Sequence, residues 1–536
     1  MAQSLCIIGG GPAATGLLWT LAQDPQVRGQ YDVTIVHDQA SLGGHCSTYW
    51  VTNPNTNAQI PVDIGVQCIS PLANPNVSAV LQSGEFPGLA PLEPVTSLTA
   101  SCAFPAMNNN QMNWGNFPDY QNPNDSEQRF QLWNEAGMAA NCAQLQTYIA
   151  ASPATGRMAY TVEAALNDPA FPFTYENLQD FINYFVDPFM NVINGYGKPD
   201  LSQILVGDLL PIFGRIPGFD GPLASWSVPG EGWQRFKNGA STWVQGMYDI
   251  ALGLGQPVTL QSTTATKVWL ANGLTGPVTV ATEADTTGTT YDKVVLAVDM
   301  WTCANLLSCD ENQSYWTSLY SNALDKSLWD LLQTGKCYIH SDKSILAPDL
   351  LPLSEEVAQF NAVNAPLDAY PYYDIDLAYT TYLVENVRNG DATAEGLYVT
   401  MYGPDLGTKT PAPASILAEE DFTHGMWLPS YMIDAKRQMH TVQGAGTLTG
   451  VTNAGTNLYF TGNNLTFDSV EGALVSGMAI ANYAFGASYP VPPSVLTTVA
   501  FGMFCYLYLD VMFPIADEST KTLARQRLAA DALKPT

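Results

Sequence analysis

The sequence predicts an α/β chain built on a doubly wound parallel sheet, assembled from separated stretches and accompanied by an α+β unit. Three observations predict it. A short apolar run, Leu5-Cys6-Ile7-Ile8, leads straight into a glycine turn. A helical segment at 15–22 and a second apolar run, Val33-Thr34-Ile35-Val36, follow at βαβ spacing. Two further apolar runs far along the chain, at 291–298 and 457–460, read as strands.

The first run reads as a buried parallel strand, and the glycines after it have separate tasks. In Gly9-Gly10-Gly11-Pro12-Ala13-Ala14, Gly9 permits the tight turn and Gly11 lets the backbone approach a pyrophosphate. Ala14 takes the third small-residue place, where helix and strand pack closely. The helix that opens at this turn points its free N-terminal amides at the phosphates. Strand, turn, helix and strand in that order form the Rossmann dinucleotide pattern, a far stronger signal than a lone glycine motif. One place departs from it: where a carboxylate is expected to hold the adenosine ribose stands His37, with Asp38 next to it. Either Asp38 reaches across or His37 makes a weaker contact.

Composition narrows the function. With 536 residues and 46% apolar side chains the chain can bury a sizeable core. The net charge of −29, from 49 acids and 20 bases, repels phosphate backbones and argues against a nucleic-acid partner. Nine cysteines without a CxxC pair read as mostly free thiols, and no metal-ligand spacing is present. The first strand begins at about Ser4, which leaves no room for a signal peptide, so a cytoplasmic location is expected.

Further motifs sharpen the reading. After the second strand comes Leu42-Gly43-Gly44-His45-Cys46-Ser47-Thr48, then Val62-Asp63-Ile64-Gly65-Val66-Gln67. Near the other end come Tyr459-Phe460-Thr461-Gly462-Asn463 and Val470-Glu471-Gly472-Ala473, with Gly477 facing a neighbouring element. Together these resemble the flavin amine oxidase and phytoene desaturase superfamily. The form GGHxxT with VDxG is most similar to its branch of predicted NAD/FAD-binding oxidoreductases. The resemblance implies FAD as cofactor and an amine-oxidase-like pair of domains. It places Gly43, Gly44, His45 and Cys46 on the dinucleotide, and Gly65, Val66 and Gln67 by the flavin ring. It also implies that Val268 meets the adenine and that Asn463, where an acid is usual, meets the ribityl chain beside Gly462. The helix opened by Val470, Glu471 and Gly472 points its amides at the flavin C2 carbonyl and N1. A covalent flavin link at His45 or Cys46 stays open.

The resemblance implies a discontinuous FAD domain at 1–70, 238–310 and 440–490, and a substrate domain at 71–237 and 311–439. The substrate domain contains an Asn-rich loop at 108–124 and a stripe of Leu178, Phe181, Ile182, Phe185 and Phe189 at helical spacing. That stripe is either a helical core or the lining of an apolar channel. Residues 491–536 form an apolar segment and a polar tail helix. Packing against the protein body or a second subunit is expected for 495–515, with a monotopic membrane contact as the alternative.

A flavin asks little of the protein beyond placing the donor carbon, excluding water and stabilising the reduced ring. Catalytic groups are therefore harder to read than the cofactor site. His340 and His424 are the candidates for acid–base work or substrate contact, each weighed against a purely structural histidine, and Gln67 is the candidate ring contact. The function expected is an FAD-dependent oxidoreductase acting on a small, largely apolar organic substrate by hydride abstraction, desaturation or amine oxidation. The alternatives are a double-bond isomerase acting on polyunsaturated fatty acids and a flavin-binding scaffold without turnover.

Overall fold

Apolar strands packed against largely apolar helices produce a layered core in the computed structural model. It describes residues 2–39, 41–71, 74–95, 160–173, 234–270, 272–313, 332–345, 379–402, 410–425, 456–462 and 469–492, with short pieces elsewhere. The Asn-rich stretch, for which only a strand at 112–115 is described, and the aromatic stripe from Leu178 to Phe189 fall outside that set.

The first unit is the one the sequence outlines. Strand β1 (Gln3–Ile8) runs parallel to β2 (Tyr31–His37), with Leu5 opposite Val33 and Ile8 opposite Val36. Between them lies α1 (Pro12–Gln23), buried along its whole length from Pro12 to Ala22. A helix of that kind is covered on every side rather than presenting one face to water. Next come a hairpin, β3 (Thr48–Thr52) and β4 (Gln59–Asp63), then α2 (Pro75–Leu81) and β5 (Leu92–Pro94). Strand β6 (Gln234–Phe236) pairs antiparallel with β5 and bridges to Ile69.

Helix α3 (Ser241–Gly253) leads into β7 (Val258–Ser262), which adds to the free side of β2. A three-stranded antiparallel sheet follows, of β8 (Ala265–Trp269), β9 (Val278–Thr282) and β10 (Thr289–Tyr291). The chain then returns to the main sheet as β11 (Lys293–Leu296), parallel to β1, and continues into α4 (Met300–Leu307).

A second sheet is formed by β12 (Leu332–His340), β13 (Tyr379–Leu383), β14 (Tyr398–Tyr402) and β15 (Ile416–Gly425), in the order β13-β14-β12-β15. All its pairings are antiparallel. The last strand of the first sheet, β16 (Leu458–Phe460), lies parallel to β11, and α5 (Val470–Phe485) follows it. The main sheet thus has the order β7-β2-β1-β11-β16, wholly parallel, drawn from three separated stretches of chain.

The core sits where α1, α3 and α5 meet this sheet. Each fully buried Leu or Ile there contributes about 1.5–3 kcal/mol relative to exposure. Helices α1 and α5 cross at very short range. A Cβ on Gly477 would come within 2.1 Å of the Ala13 carbonyl oxygen, so only glycine fits at that crossing. The C-terminal apolar stretch joins the same core through Phe501 and Cys505, which are buried in it, so these residues are covered by the protein itself. Among the described residues no helix is long and apolar enough to cross a membrane, and the seven described cysteines are all free.

Candidate functional site

The carboxyl ends of β1, β11 and β16 line up, the place where ligands bind on open α/β sheets. Gly9 follows β1 at φ +117°, and a Cβ there would meet the Ala297 carbonyl oxygen at 2.4 Å. Gly462 follows β16 at φ +136° and lies against the Val298 carbonyl. Its amide donates to the Ser476 hydroxyl at 2.9 Å, and that hydroxyl also meets Thr461 Oγ1 at 2.7 Å. Ser476 therefore ties the end of β16 to α5. It stands in the EGAxxSG stretch of the sequence, but nothing in its spacing reveals that its partner is the preceding strand.

Two glycine turns close on each other. The Gly43 amide donates to the Gly10 carbonyl at 3.0 Å, and a Cβ on Gly44 would come within 3.0 Å of Gly11 Cα. Gly43-Gly44 and Gly9-Gly10-Gly11 thus form one cradle at the N-terminus of α1. No side chain caps that helix, its N-cap is Gly11, and Pro12 in the first turn has no amide hydrogen. The amides of Ala13 and Ala14 stand in the same uncapped turn. A bare helix N-terminus facing a backbone-lined cradle fits a pyrophosphate. The residues present therefore fit a dinucleotide cofactor, whether flavin or nicotinamide.

At the expected ribose position His37 is tied to the chain. Its Nε2 donates to the Ser41 carbonyl at 2.8 Å, and its ring lies so close over the glycine turn that a Cβ on Gly10 would meet it at 2.6 Å. His37 is a buried prop under the turn. Asp38 stands beside it with its side chain 61% exposed.

Residues of the GGHxxT and VDxG motifs bond to one another and to the start of α3. Asp63 is buried, and its Oδ1 accepts from the Thr48 hydroxyl at 2.6 Å and from the Ala240 amide at 2.7 Å. Thr48 in turn accepts from the Ser241 amide at 3.0 Å. The T of GGHxxT and the D of VDxG therefore cap α3 as a pair. Burial, only partly offset by these donors, pushes the Asp63 carboxyl up to about 7. The Gln67 side-chain amide folds back on the carbonyls of Asp63 and Gly65. Gly65 lies against the His45 carbonyl, which leaves no room for a Cβ, and Val66 donates to that same oxygen at 3.1 Å.

The Glu471 carboxylate is committed within the chain. The oxygens accept from the Asn76 amide at 2.9 Å, Asn76 Nδ2 at 2.7 Å and the Val77 amide at 3.0 Å, capping α2. Burial pushes this group up to about 7 as well. In the same turn Gly472 donates to Ser469 Oγ, and Val470 packs on the core. Val268 is fully buried and its carbonyl accepts from Asn312 Nδ2 at 2.7 Å, so its side chain is enclosed by protein. Cys46 belongs to the hydrophobic core, where burial raises its thiol far above the usual range; such a thiol is no nucleophile for a flavin link.

The histidine candidates separate. His340, at the end of β12, is fully buried; Nε2 meets Thr400 Oγ1 at 2.7 Å and Nδ1 accepts from the Asp342 amide at 3.1 Å. Both nitrogens are committed within the chain, and burial lowers the imidazole to about 4, so it stays neutral. This is the geometry of a structural histidine, the alternative weighed for it from the sequence. His424 stands on β15 opposite Gln333. Asn463 lies outside the described residues.

The second sheet reaches the cradle from the far side. The Phe422 ring meets the His45 ring edge-on at 4.8 Å, and Cys337 Sγ donates to the Ile64 carbonyl at 3.1 Å. Glu420 accepts from Gln39 Nε2 at 3.0 Å and from the Tyr49 hydroxyl at 3.2 Å. Sequence reasoning gives no hint of Glu420, because its partners lie more than 370 residues away.

Comparison with known proteins agrees with this architecture. Residues 7–83 match the NAD(P)-binding Rossmann-like domain. No curated protein matches the chain in sequence. Solved structures do share its fold. The CLA-producing fatty acid isomerase from P. acnes superposes with a TM-score of 0.53 at 14% identity, covering 90% of this chain and 98% of that one. Cyclohexylamine oxidase from Brevibacterium oxydans IH-35A gives 0.52 at 12% identity, covering 91% and 99%. An oxidoreductase from Methanosarcina mazei gives 0.50 at 12% identity, covering 89% and 99%. The chain has an NAD(P)-binding Rossmann-like domain over residues 7–83 and, over most of its length, the fold that these isomerase and oxidase structures share.

Proposed function

We propose that the chain is an FAD-dependent oxidoreductase that removes hydride from a small, largely apolar organic molecule. The observation that carries this reading is the closure of the two glycine turns, through the Gly43–Gly10 bond, over the uncapped N-terminus of α1. A nicotinamide dinucleotide needs only the first turn and its helix. The second turn, and the alignment of Gly462 and Ser476 with β11, favour the longer flavin dinucleotide.

When bound, FAD supplies the hydride acceptor, and the protein supplies binding, orientation and exclusion of water. The amides of α1 and the turns at 9–11 and 43–44 hold the pyrophosphate. The hairpin β3–β4, anchored by Asp63 and Thr48, sets the position of Gly65, Val66 and Gln67. Phe422 and His45 close an apolar contact over that stretch. His340 holds no mobile proton near neutrality, so acid–base work at this residue forms no part of the proposed chemistry.

Denaturing the purified protein tests the cofactor: a yellow chromophore that chromatographs as FAD is expected, and a colourless protein that takes up no FAD overturns the reading. Anaerobic mixing with panels of amines and of unsaturated fatty acids then tests the reaction. Bleaching of the flavin by one panel is expected. Changed double-bond positions with the flavin oxidised at the end would establish isomerisation instead.

A further inference from the structure

The segment 38–49, a loop running into the first two residues of β3, forms one wall of the cradle, since Gly43 and Gly44 press on Gly10 and Gly11 from within it. Its outer side is gripped by the second sheet at three separated places. Glu420 takes Gln39 at the start of the segment and Tyr49 at its end, and Phe422, two residues further along β15, takes His45 in the middle. Alternate residues of a strand share a face, so one face of β15 carries both contacts. Cys337, opposite Glu420 in the register, adds its bond to the Ile64 carbonyl on the neighbouring loop.

A single carboxylate therefore cross-ties the two ends of a loop whose middle shapes the pyrophosphate cradle. We infer that Glu420 is a positioning residue for the dinucleotide: through Gln39 and Tyr49 it fixes the span of the 38–49 segment and so holds Gly43 and Gly44 at the distance the pyrophosphate requires. This rests on the dinucleotide reading above and adds a residue from the second sheet that has no place in the glycine motif. Glu420 itself touches no phosphate. It acts by sparing the bound state the cost of ordering the loop.

The test uses full-length protein loaded with FAD, and follows flavin release on dilution by the rise in flavin fluorescence, with the melting temperature of each variant measured alongside. Glu420→Ala is expected to weaken FAD retention about tenfold, the scale of losing hydrogen bonds to a charged acceptor, while the melting temperature of the flavin-free protein moves little. Glu420→Gln keeps an acceptor for Tyr49 and should recover part of the loss. Adding Tyr49→Phe to Glu420→Ala should cost nothing more, since both act through one link. Three results would overturn the inference: wild-type retention in Glu420→Ala, additive losses in the double variant, or a loss matched by a collapse of the flavin-free melting temperature. Failure of the wild-type protein to hold any FAD would instead sink the proposed function, and this inference with it.

Discussion

The Thr48 hydroxyl donates to Asp63 Oδ1 at 2.6 Å while accepting from the Ser241 amide, so two residues fifteen apart on a hairpin jointly cap α3. A buried carboxylate that loses a donor keeps its desolvation cost and loses part of what offsets it. Thr48→Val preserves shape and removes the hydroxyl; it should lower stability by about 1–3 kcal/mol. Urea unfolding of the variant beside wild type measures this, and coincident curves would show that the pair carries no weight.

Two buried carboxyls and one buried imidazole give the fold opposing responses to pH. Asp63 moves from 3.8 to about 7 and Glu471 from 4.5 to about 7 on folding. Between those values the folded state binds more protons than the unfolded one, so their contribution is complete at low pH and is lost as pH rises towards 7. His340 moves the other way, from 6.5 to about 4, so the stability tied to it is present above 6.5 and is lost as pH falls through 4. Asp63→Asn and Glu471→Gln should each gain on wild type as pH is raised from about 4 to 7, by roughly 2–4 kcal/mol in total for each site. His340→Gln should gain on wild type as pH is lowered across its window. Melting temperatures taken across pH 4.5–8 separate the three; parallel curves for wild type and variants would refute the assignment.

The crossing of α1 and α5 makes a sharper structural prediction. A methyl on Gly477 meets the Ala13 carbonyl oxygen at 2.1 Å and the Leu17 amide nitrogen at 3.0 Å, both backbone atoms that cannot turn aside. Gly477→Ala must separate the helices, at about 3 kcal/mol or more, and should weaken binding of the proposed dinucleotide as the N-terminus of α1 shifts. Gly253→Ala is the control: nothing lies within 4 Å of the added carbon, and the change should be neutral or stabilising by up to about 1 kcal/mol. Flavin content per chain and thermal melts decide between them.

The parallel sheet was legible because its inner strands are buried on both faces and announce themselves as apolar runs, down to those at 293–296 and 458–460; the edge strand at 258–262 is largely exposed. The glycine turns were legible for the same local reason: their residues act through their own backbone. What the sequence hides is partnership at long range. Nothing local to His37 shows that its ring lies over Gly10, and nothing local to Glu471 shows that Asn76 and Val77 donate to it. His340 shows the same limit, since an imidazole between Thr400 and Asp342 looks no different in sequence from one facing a substrate.

The C-terminal apolar stretch offers a last test. Phe501 is fully buried, its ring 4.6 Å from that of Tyr489, and the nearby Thr497 carbonyl accepts from Asn76 Nδ2 at 3.2 Å. Asn76 is the residue whose amide and side chain both donate to Glu471, so the stretch is linked through one asparagine to the first turn of α5. Covering the core is thus its visible task. Phe501→Ala should leave a cavity and cost about 3–5 kcal/mol, as large aromatic truncations in cores do. The same variant should sediment with lipid vesicles no differently from wild type. A variant of unchanged stability that loses vesicle binding would show instead that this ring serves a membrane surface.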